Sequence, residues 1–358
     1  MNPELYERYL QKKAKKLGIS VEELKAQGSP VKESDNEPKY IQQTIQSQLQ
    51  QENQTNFQSN EQNEILIENP EFPKFEDTRE NKFGLIGYPL GHSLSKIIHE
   101  AGFKSLNIDA EYEILETPPD TLVERIKFLK TNGYKGFNIT IPLKLPVSLF
   151  VNEVDKYADI ARAVNTVSIE ADKSLKAYNT DVIGFKRAIP EDINLAGKNI
   201  AILGTGGASH AACTALNECN VKEISFFTRN IPNSIDLMNY VRRIFPSIKF
   251  SVYQIENIRS LEEYDMLVNA TPIGMLGKAG DMMPVETKAL TTLNPEAIVY
   301  DVIYNPKKTV LLKEAEKLNL RTINGLDMLI YQAVSAQEIW FGRTPDFKDM
   351  KIAALESL

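Results

Sequence analysis

Lys144 and Asp181 have the residue types that suit proton transfer. Lys144 closes the segment Asn138-Ile-Thr140-Ile-Pro142-Leu-Lys144, in which polar side chains alternate along a strand before a proline breaks it. Reduction of a carbonyl needs a proton donor beside the developing alkoxide, and a partly buried lysine near a carboxylate could supply it. The carboxylate available is Asp181, in Asn179-Thr180-Asp181-Val-Ile-Gly184. On local grounds Lys144 also reads as a solvated surface charge. Asn179 to Asp181 likewise also reads as a turn and N-cap ahead of a helix. Ser93 and Ser95, in Gly91-His92-Ser93-Leu94-Ser95, place two hydroxyls on one side of an extended backbone. Such a pair can bind a small carboxylate, or cap the helix that follows in KIIHEAGFKSL.

A second constellation is Gly204-Thr-Gly206-Gly207-Ala208-Ser209, which follows an apolar strand and opens a helix. Glycines there let the backbone approach a pyrophosphate, and the helix N-terminal amides meet its charge. Ser209 stands where the third glycine of the usual fingerprint would be, and a tight strand-to-helix connection is the other reading of the same residues. The next strand ends Phe227-Thr228-Arg229-Asn230. A unit selecting the unphosphorylated dinucleotide ends this strand in an acid, whereas Arg229 suits a 2′-phosphate and so NADP, or is an ordinary exposed arginine. The histidines are His92, His99 and His210, and the cysteines Cys213 and Cys219. Their spacing builds neither a metal site nor a disulfide framework, so no metal is expected.

The elements that must carry these residues begin at Lys82. KFGLIGYP, AEYEILE and YKGFNITIP read as strands and LVERIKFLKT as a helix. NIAILG, the helix ASHAACTALNEC and the strand EISFFTR form one βαβ unit. KFSVYQ, YDMLVNA and AIVYDVIY are further strands, and DMLIYQAVSAQEIWFG is a helix. This alternation predicts an α/β fold. The chain of 358 residues allows about two domains, and 42% hydrophobic residues can build their cores. A formal charge of −7 argues against nucleic acid as a partner. No stretch approaches ~18 apolar residues and MNPELYERYLQKKAKKLG lacks a signal-type apolar segment, so the expectation is a cytoplasmic protein with no membrane partner. Residues 1–81 stand apart as an N-terminal extension. Residues 1–28 suggest a small helical hairpin, with Ser20 and Glu23 spaced as a capping box. Within residues 41–64, 13 of 24 are Gln or Asn, the composition of a disordered linker.

With these pieces in order, residues 82–342 resemble the shikimate dehydrogenase family. The chain carries that family's HSxS segment at His92 to Ser95, NxTxPxK at Asn138 to Lys144, AVNT at Ala163 to Thr166 and NTDxxG at Asn179 to Gly184. Downstream, Asn269 to Met275 is similar to NATPxGM, Asp301 to Pro306 to DxxYxP, and Asn324 to Gln332 to NGxxMLxxQ. Seven segments in the family's order are not chance.

The resemblance implies reversible NADPH-dependent reduction of 3-dehydroshikimate to shikimate, on the way to chorismate and aromatic amino acids. It implies a substrate domain of residues 82–180 plus 325–358 and a Rossmann-like NADP domain of residues 181–324. By carry-over, Lys144 and Asp181 are the catalytic pair. Ser93, Ser95 and Tyr304 hold or border the substrate carboxylate, and Thr140, Asn165, Thr180 and Gln332 contact its hydroxyls and carbonyl. Gly204, Gly206, Gly207, Ala208, Ser209, Thr228, Arg229, Asn230, Thr271 and Met328 bind the cofactor, and Met275 and Gly325 line its nicotinamide. Lys96 replaces the family's usual proline and Arg162 a glycine, which should alter packing rather than chemistry. Only one arginine follows the second strand, where the family often has two. A quinate/shikimate dehydrogenase preferring NAD is the competing enzyme reading, opposed by Arg229. A non-catalytic sensor of shikimate-type metabolites is another, opposed by the intact Lys144 and Asp181. A monomer or homodimer is expected.

Overall fold

A computed structural model of the chain describes Ser20 and residues 81–358 except His92 and Lys278, with only the backbone of Asn233 and Asp236. The expected hairpin at residues 1–28 and the Gln/Asn-rich linker lie outside the described residues, Ser20 apart, as does His92 of the first motif.

The first of two six-stranded sheets contains β1 (Lys82–Gly87), β2 (Glu111–Glu116), β3 (Tyr134–Ile139), β4 (Glu153–Val154), β5 (Thr166–Ile169) and β6 (Leu175–Tyr178). Its order is β2-β1-β3-β5-β6-β4. β1 runs parallel to β2 and β3, while β5 is antiparallel to β3 and β6. α1 (Ser95–Ser105), α2 (Leu122–Thr131) and α3 (Lys156–Ala161) connect the strands. Leu122, Ile126 and Leu129 recur at helical spacing along α2 and bury that face against Phe137 and Ile139 of β3.

After α4 (Thr180–Arg187), the second sheet assembles β7 (Asn199–Leu203), β8 (Glu223–Thr228), β9 (Lys249–Gln254), β10 (Met266–Asn269), β11 (Ile298–Asp301) and β12 (Arg321–Asn324). All its pairs are parallel, in the order β12-β11-β10-β7-β8-β9. This is the doubly wound order of a dinucleotide-binding sheet. Its central strands β7, β10 and β11 are largely apolar because both faces are covered, whereas the edge strands β9 and β12 are partly exposed. Ile200 and Ile202 of β7 enter the core on one side, Ala201 and Leu203 that on the other. α5 (Gly207–Asn217), α6 (Ile235–Ile244), α7 (Thr287–Leu290) and α8 (Val310–Lys317) supply much of that cover.

α9 (Gly325–Phe341) leaves β12 and packs on α4 and α1, followed by α10 (Phe347–Glu356). At its far end Trp340 stacks on Phe83 of β1 with ring centroids 4.5 Å apart and donates to the Val167 carbonyl of β5 at 3.1 Å. This one helix therefore reaches from the second sheet to the first. Among the described residues, no helix is long and apolar enough to cross a membrane.

β11 is shorter than AIVYDVIY suggests, ending at Asp301. The Asp301 side chain accepts the Ile303 N–H at 3.1 Å and so turns the chain out of the sheet. Asn269, Asp301 and Asn324 share the last register row of β10, β11 and β12, and each fastens the segment that follows. Asn269 accepts the Thr271 N–H (3.1 Å), and Asn324 accepts the Leu326 N–H (2.8 Å) to cap α9. Asp301, fully buried, also accepts from Asn269 Nδ2 (3.0 Å) and Thr309 Oγ1 (2.6 Å).

Burial raises the Asp301 carboxyl from its ordinary 3.8 to about 6, its three hydrogen bonds pulling the other way. The folded chain thus holds this proton to higher pH than the unfolded chain, so the associated stability is full below 3.8 and is lost as pH rises through about 6. Asp301→Asn cannot titrate. Between about pH 4.5 and 7.5 its stability relative to the parent should improve by about 2 kcal/mol in urea unfolding. A gap independent of pH would show that this carboxyl is not the linked group. Gly325 makes a second prediction, because a Cβ there would lie 2.1 Å from the Val302 carbonyl oxygen. Gly325→Ala should cost about 1–3 kcal/mol, read by the same unfolding measurement. Unchanged stability would mean that the β11 loop backs away freely.

Candidate active site

The segments that follow β1, β3 and β7 to β11 line one cleft of about 2220 Å³. A small-molecule pocket is usually ~300–1,000 Å³, so this cleft has room for a dinucleotide and a small substrate end to end.

Within it, Lys144 Nζ donates to Asp181 Oδ2, both side chains being partly buried and lining the cleft. Local structure places each of them. After β3 the chain turns at Thr140, buries Leu143, and anchors Lys144 by its carbonyl, which accepts the Val164 N–H at 2.9 Å. Asp181 sits in the first turn of α4, whose N-cap is Asn179, accepting the Val182 N–H at 3.3 Å. Both readings of the Asn179–Asp181 segment therefore hold together: it caps a helix and presents a carboxylate.

A buried polar network ties these two turns together. Asn138 accepts from the Tyr112 hydroxyl (2.7 Å) and donates to Thr166 Oγ1 (2.9 Å). Asn165 accepts the Thr180 N–H (2.7 Å) and donates to Thr180 Oγ1 (3.0 Å), while Asn179 donates to the Ala163 carbonyl (2.8 Å). Burial pushes the Tyr112 phenol well above its ordinary range, keeping it a donor. His99, stacked on Tyr112 at 4.2 Å, is pulled down to about 3 by burial and is a neutral packing residue.

Ser93, Ser95, Thr140, Asn165, Tyr304 and Gln332 line the same cleft as Lys144 and Asp181. α1 starts at Ser95 without a side-chain cap on its N-cap residue Leu94. Ser93 Oγ accepts the Ser95 N–H (3.2 Å) and donates to Ser95 Oγ (3.1 Å), so the pair makes two local bonds and leaves the Ser95 O–H to donate to a ligand. Burial raises the Tyr304 phenol, leaving it protonated and able to donate. Thr180 does not line the cleft: it is wholly buried, and its bonds to Asn165 orient a residue that does.

The cleft also meets the start of α5. Gly204 takes φ +99° at the end of β7, and a Cβ at Gly206 or Gly207 would meet nothing within 4 Å. No side chain caps α5 at Gly206, so its first amides face open space lined by Gly204 to Ala208. This arrangement fits a pyrophosphate. Thr228, Arg229 and Asn230 line the cleft as well, as do Thr271, Met275, Gly325 and Met328. Ser209 does not reach the cleft, because the first turn of α5 carries its side chain into the core. No group of three or more His, Cys, Asp or Glu among the described residues could hold a metal ion.

Asn269, Asp301 and Asn324 are motif residues whose role the sequence alone does not indicate. Their polarity at the ends of apolar strands is the signal, but only the register shows that they align. Glu256, on the turn after β9, also lines the cleft and carried no motif.

Residues 85–167 match the model of the shikimate dehydrogenase substrate binding domain, and residues 325–355 that of the shikimate 5′-dehydrogenase C-terminal domain. The shikimate dehydrogenase (NADP(+)) of Methanocaldococcus jannaschii is 39% identical over 281 residues, covering 77% of this chain and 96% of that one. A solved shikimate dehydrogenase in complex with NADP+ superposes with a TM-score of 0.71 at 38% identity, covering 77% of this chain and 95% of that one. Shikimate 5-dehydrogenase from Listeria monocytogenes, in complex with shikimate and NAD, gives a TM-score of 0.71 at 30% identity, covering 78% and 98%. With the cleft geometry and these likenesses in agreement, the chain belongs to the shikimate dehydrogenase family.

Proposed function

We infer that this chain is an NADP-dependent oxidoreductase acting on a CH–OH group, interconverting shikimate and 3-dehydroshikimate. The observation that carries the reading is the Lys144–Asp181 pair, set in one cleft with an uncapped, glycine-lined helix N-terminus. Relatives bearing the name shikimate dehydrogenase (NADP(+)) match along most of the chain. The domain division proposed is residues 82–180 plus 325–358 for the substrate and residues 181–324 for NADP. Action in the cytoplasm as a monomer or homodimer belongs to the same proposal.

In this mechanism Ser93, Ser95 and Tyr304 hold the substrate carboxylate through charge-assisted hydrogen bonds. Asn165 and Gln332 orient the ring hydroxyls, with Thr180 fixing Asn165. Gly204 to Ala208 would hold the pyrophosphate and Arg229 the 2′-phosphate, with Thr271, Met275, Gly325 and Met328 along the nicotinamide. Bound NADPH supplies the hydride that reduces the substrate carbonyl. Lys144 Nζ donates a proton to the oxygen as its charge develops, and takes it back in the reverse direction. Asp181 holds the lysine in line and accepts from a neighbouring hydroxyl.

Steady-state assay of the purified chain with shikimate or quinate, each with NADP+ or NAD+, tests the reading. Shikimate with NADP+ should be the favoured pair. No turnover of that pair would overturn the reading, and preference for quinate with NAD+ would replace it with the competing enzyme. Lys144→Ala should lower turnover at least ~100-fold with a smaller effect on substrate binding. Near-parental turnover would remove Lys144 from the chemistry. Arg229→Ala should weaken NADP+ at least ~10-fold, about 1.4 kcal/mol, and NAD+ little. Equal weakening of both in direct binding would take the 2′-phosphate away from Arg229.

A further inference from the structure

Among the described residues that line the cleft, Arg229 and Lys144 are the only cations, and Lys144 is engaged by Asp181. The end where an adenosine would lie therefore has one guanidinium, and it also has an acid. Arg229 follows β8, and Glu256 sits on the turn Ile255–Asn257 that follows the neighbouring β9. The register pairs Thr228 with Gln254, and Gln254 Nε2 donates to the Arg229 carbonyl at 3.0 Å. The two strand ends are thus tied together, and both Arg229 and Glu256 line the cleft. Glu256 is exposed and has no ion-pair partner among the described residues. The nearby Arg259 does not line the cleft, since its Nη1 donates to the Glu256 and Ile258 carbonyls at 2.8 and 3.3 Å.

A 2′-phosphate brought beside Arg229 adds up to two negative charges near this carboxylate. In dinucleotide units that select the unphosphorylated cofactor, an acid at the second strand's end meets the ribose hydroxyls. Here the acid stands one strand further along while the guanidinium keeps the second strand's end. We propose that Glu256 is a second determinant of cofactor choice, a carboxylate that opposes the 2′-phosphate and limits the preference created by Arg229. The proposal rests on the reading that Arg229 takes that phosphate. Because Glu256 is exposed, solvent screens it. Across a largely aqueous gap, a monoanion facing a dianion changes affinity by about threefold to tenfold. The effect fades as salt shortens the screening length.

The experiment is direct calorimetric binding of NADP+ and NAD+ to the full chain as parent, Glu256→Gln and Arg229→Ala, at low and high salt. Glu256→Gln should tighten NADP+ at least ~3-fold at low salt, leave NAD+ within ~2-fold, and lose most of that gain at high salt. An unchanged NADP+ affinity, a parallel change in both cofactors, or a gain insensitive to salt would each overturn the proposal. The Arg229→Ala arm separates the two ideas. If it weakens both cofactors alike, the phosphate assignment itself fails, whatever Glu256→Gln does.

Discussion

The site depends above all on the buried amide and hydroxyl network of Asn138, Thr166, Asn165, Thr180 and Asn179. Each polar group taken out of water there must find a partner, since a buried unpaired donor or acceptor costs about 1–3 kcal/mol. Meeting that demand joins the end of β3, the turn before β5 and the start of α4. The chain therefore has little freedom to move Lys144 relative to Asp181, which are 37 residues apart in sequence yet bonded in space. Rigidity of this kind is what lets a lysine and a carboxylate act as one unit.

The second sheet solves a different problem. Its central strands are buried on both faces, so polar functional groups there are confined to the strand ends and the turns beyond them. Asn269, Asp301 and Asn324 occupy the last register row and hold the exit turns that present Thr271, Tyr304 and the start of α9. Asp301 is charged, buried and without a cation among its hydrogen-bond partners. Its retention costs stability at neutral pH, consistent with loops positioned for a site rather than for a minimal-energy core.

Both departures from the family pattern are absorbed by packing. Arg162 takes the left-handed conformation (φ 49°) where a glycine would be unstrained, and its guanidinium lies over the Tyr240 ring at 4.0 Å. Tyr240 in turn donates to the Ile160 carbonyl at 2.9 Å, so α6 secures the end of α3. Lys96 spans from Glu100 (2.6 Å) to the Tyr112 carbonyl (2.8 Å), tying α1 to β2. Neither side chain lines the cleft.

Much of this protein was determined by the sequence read alone. Apolar runs with period two or none, broken by glycine and proline, foretold the principal strands. Helical spacing in LVERIKFLKT gave α2 at its observed limits. The motifs singled out Lys144, Asp181 and the glycine turn because their chemistry needs those residue types. Tertiary structure decided which of them meet. It carried Thr180 and Ser209 inward, since a helical turn points successive side chains in different directions. It ended β11 early, because one carboxylate captured the backbone two residues on. It aligned three strand-end polar residues from distant segments, and tied the strand ends that precede Arg229 and Glu256 together through parallel pairing of β8 and β9. Local propensity is written into neighbours along the chain, whereas register and the convergence of strand ends arise from pairing residues tens of positions apart. One sequence does not list those pairs.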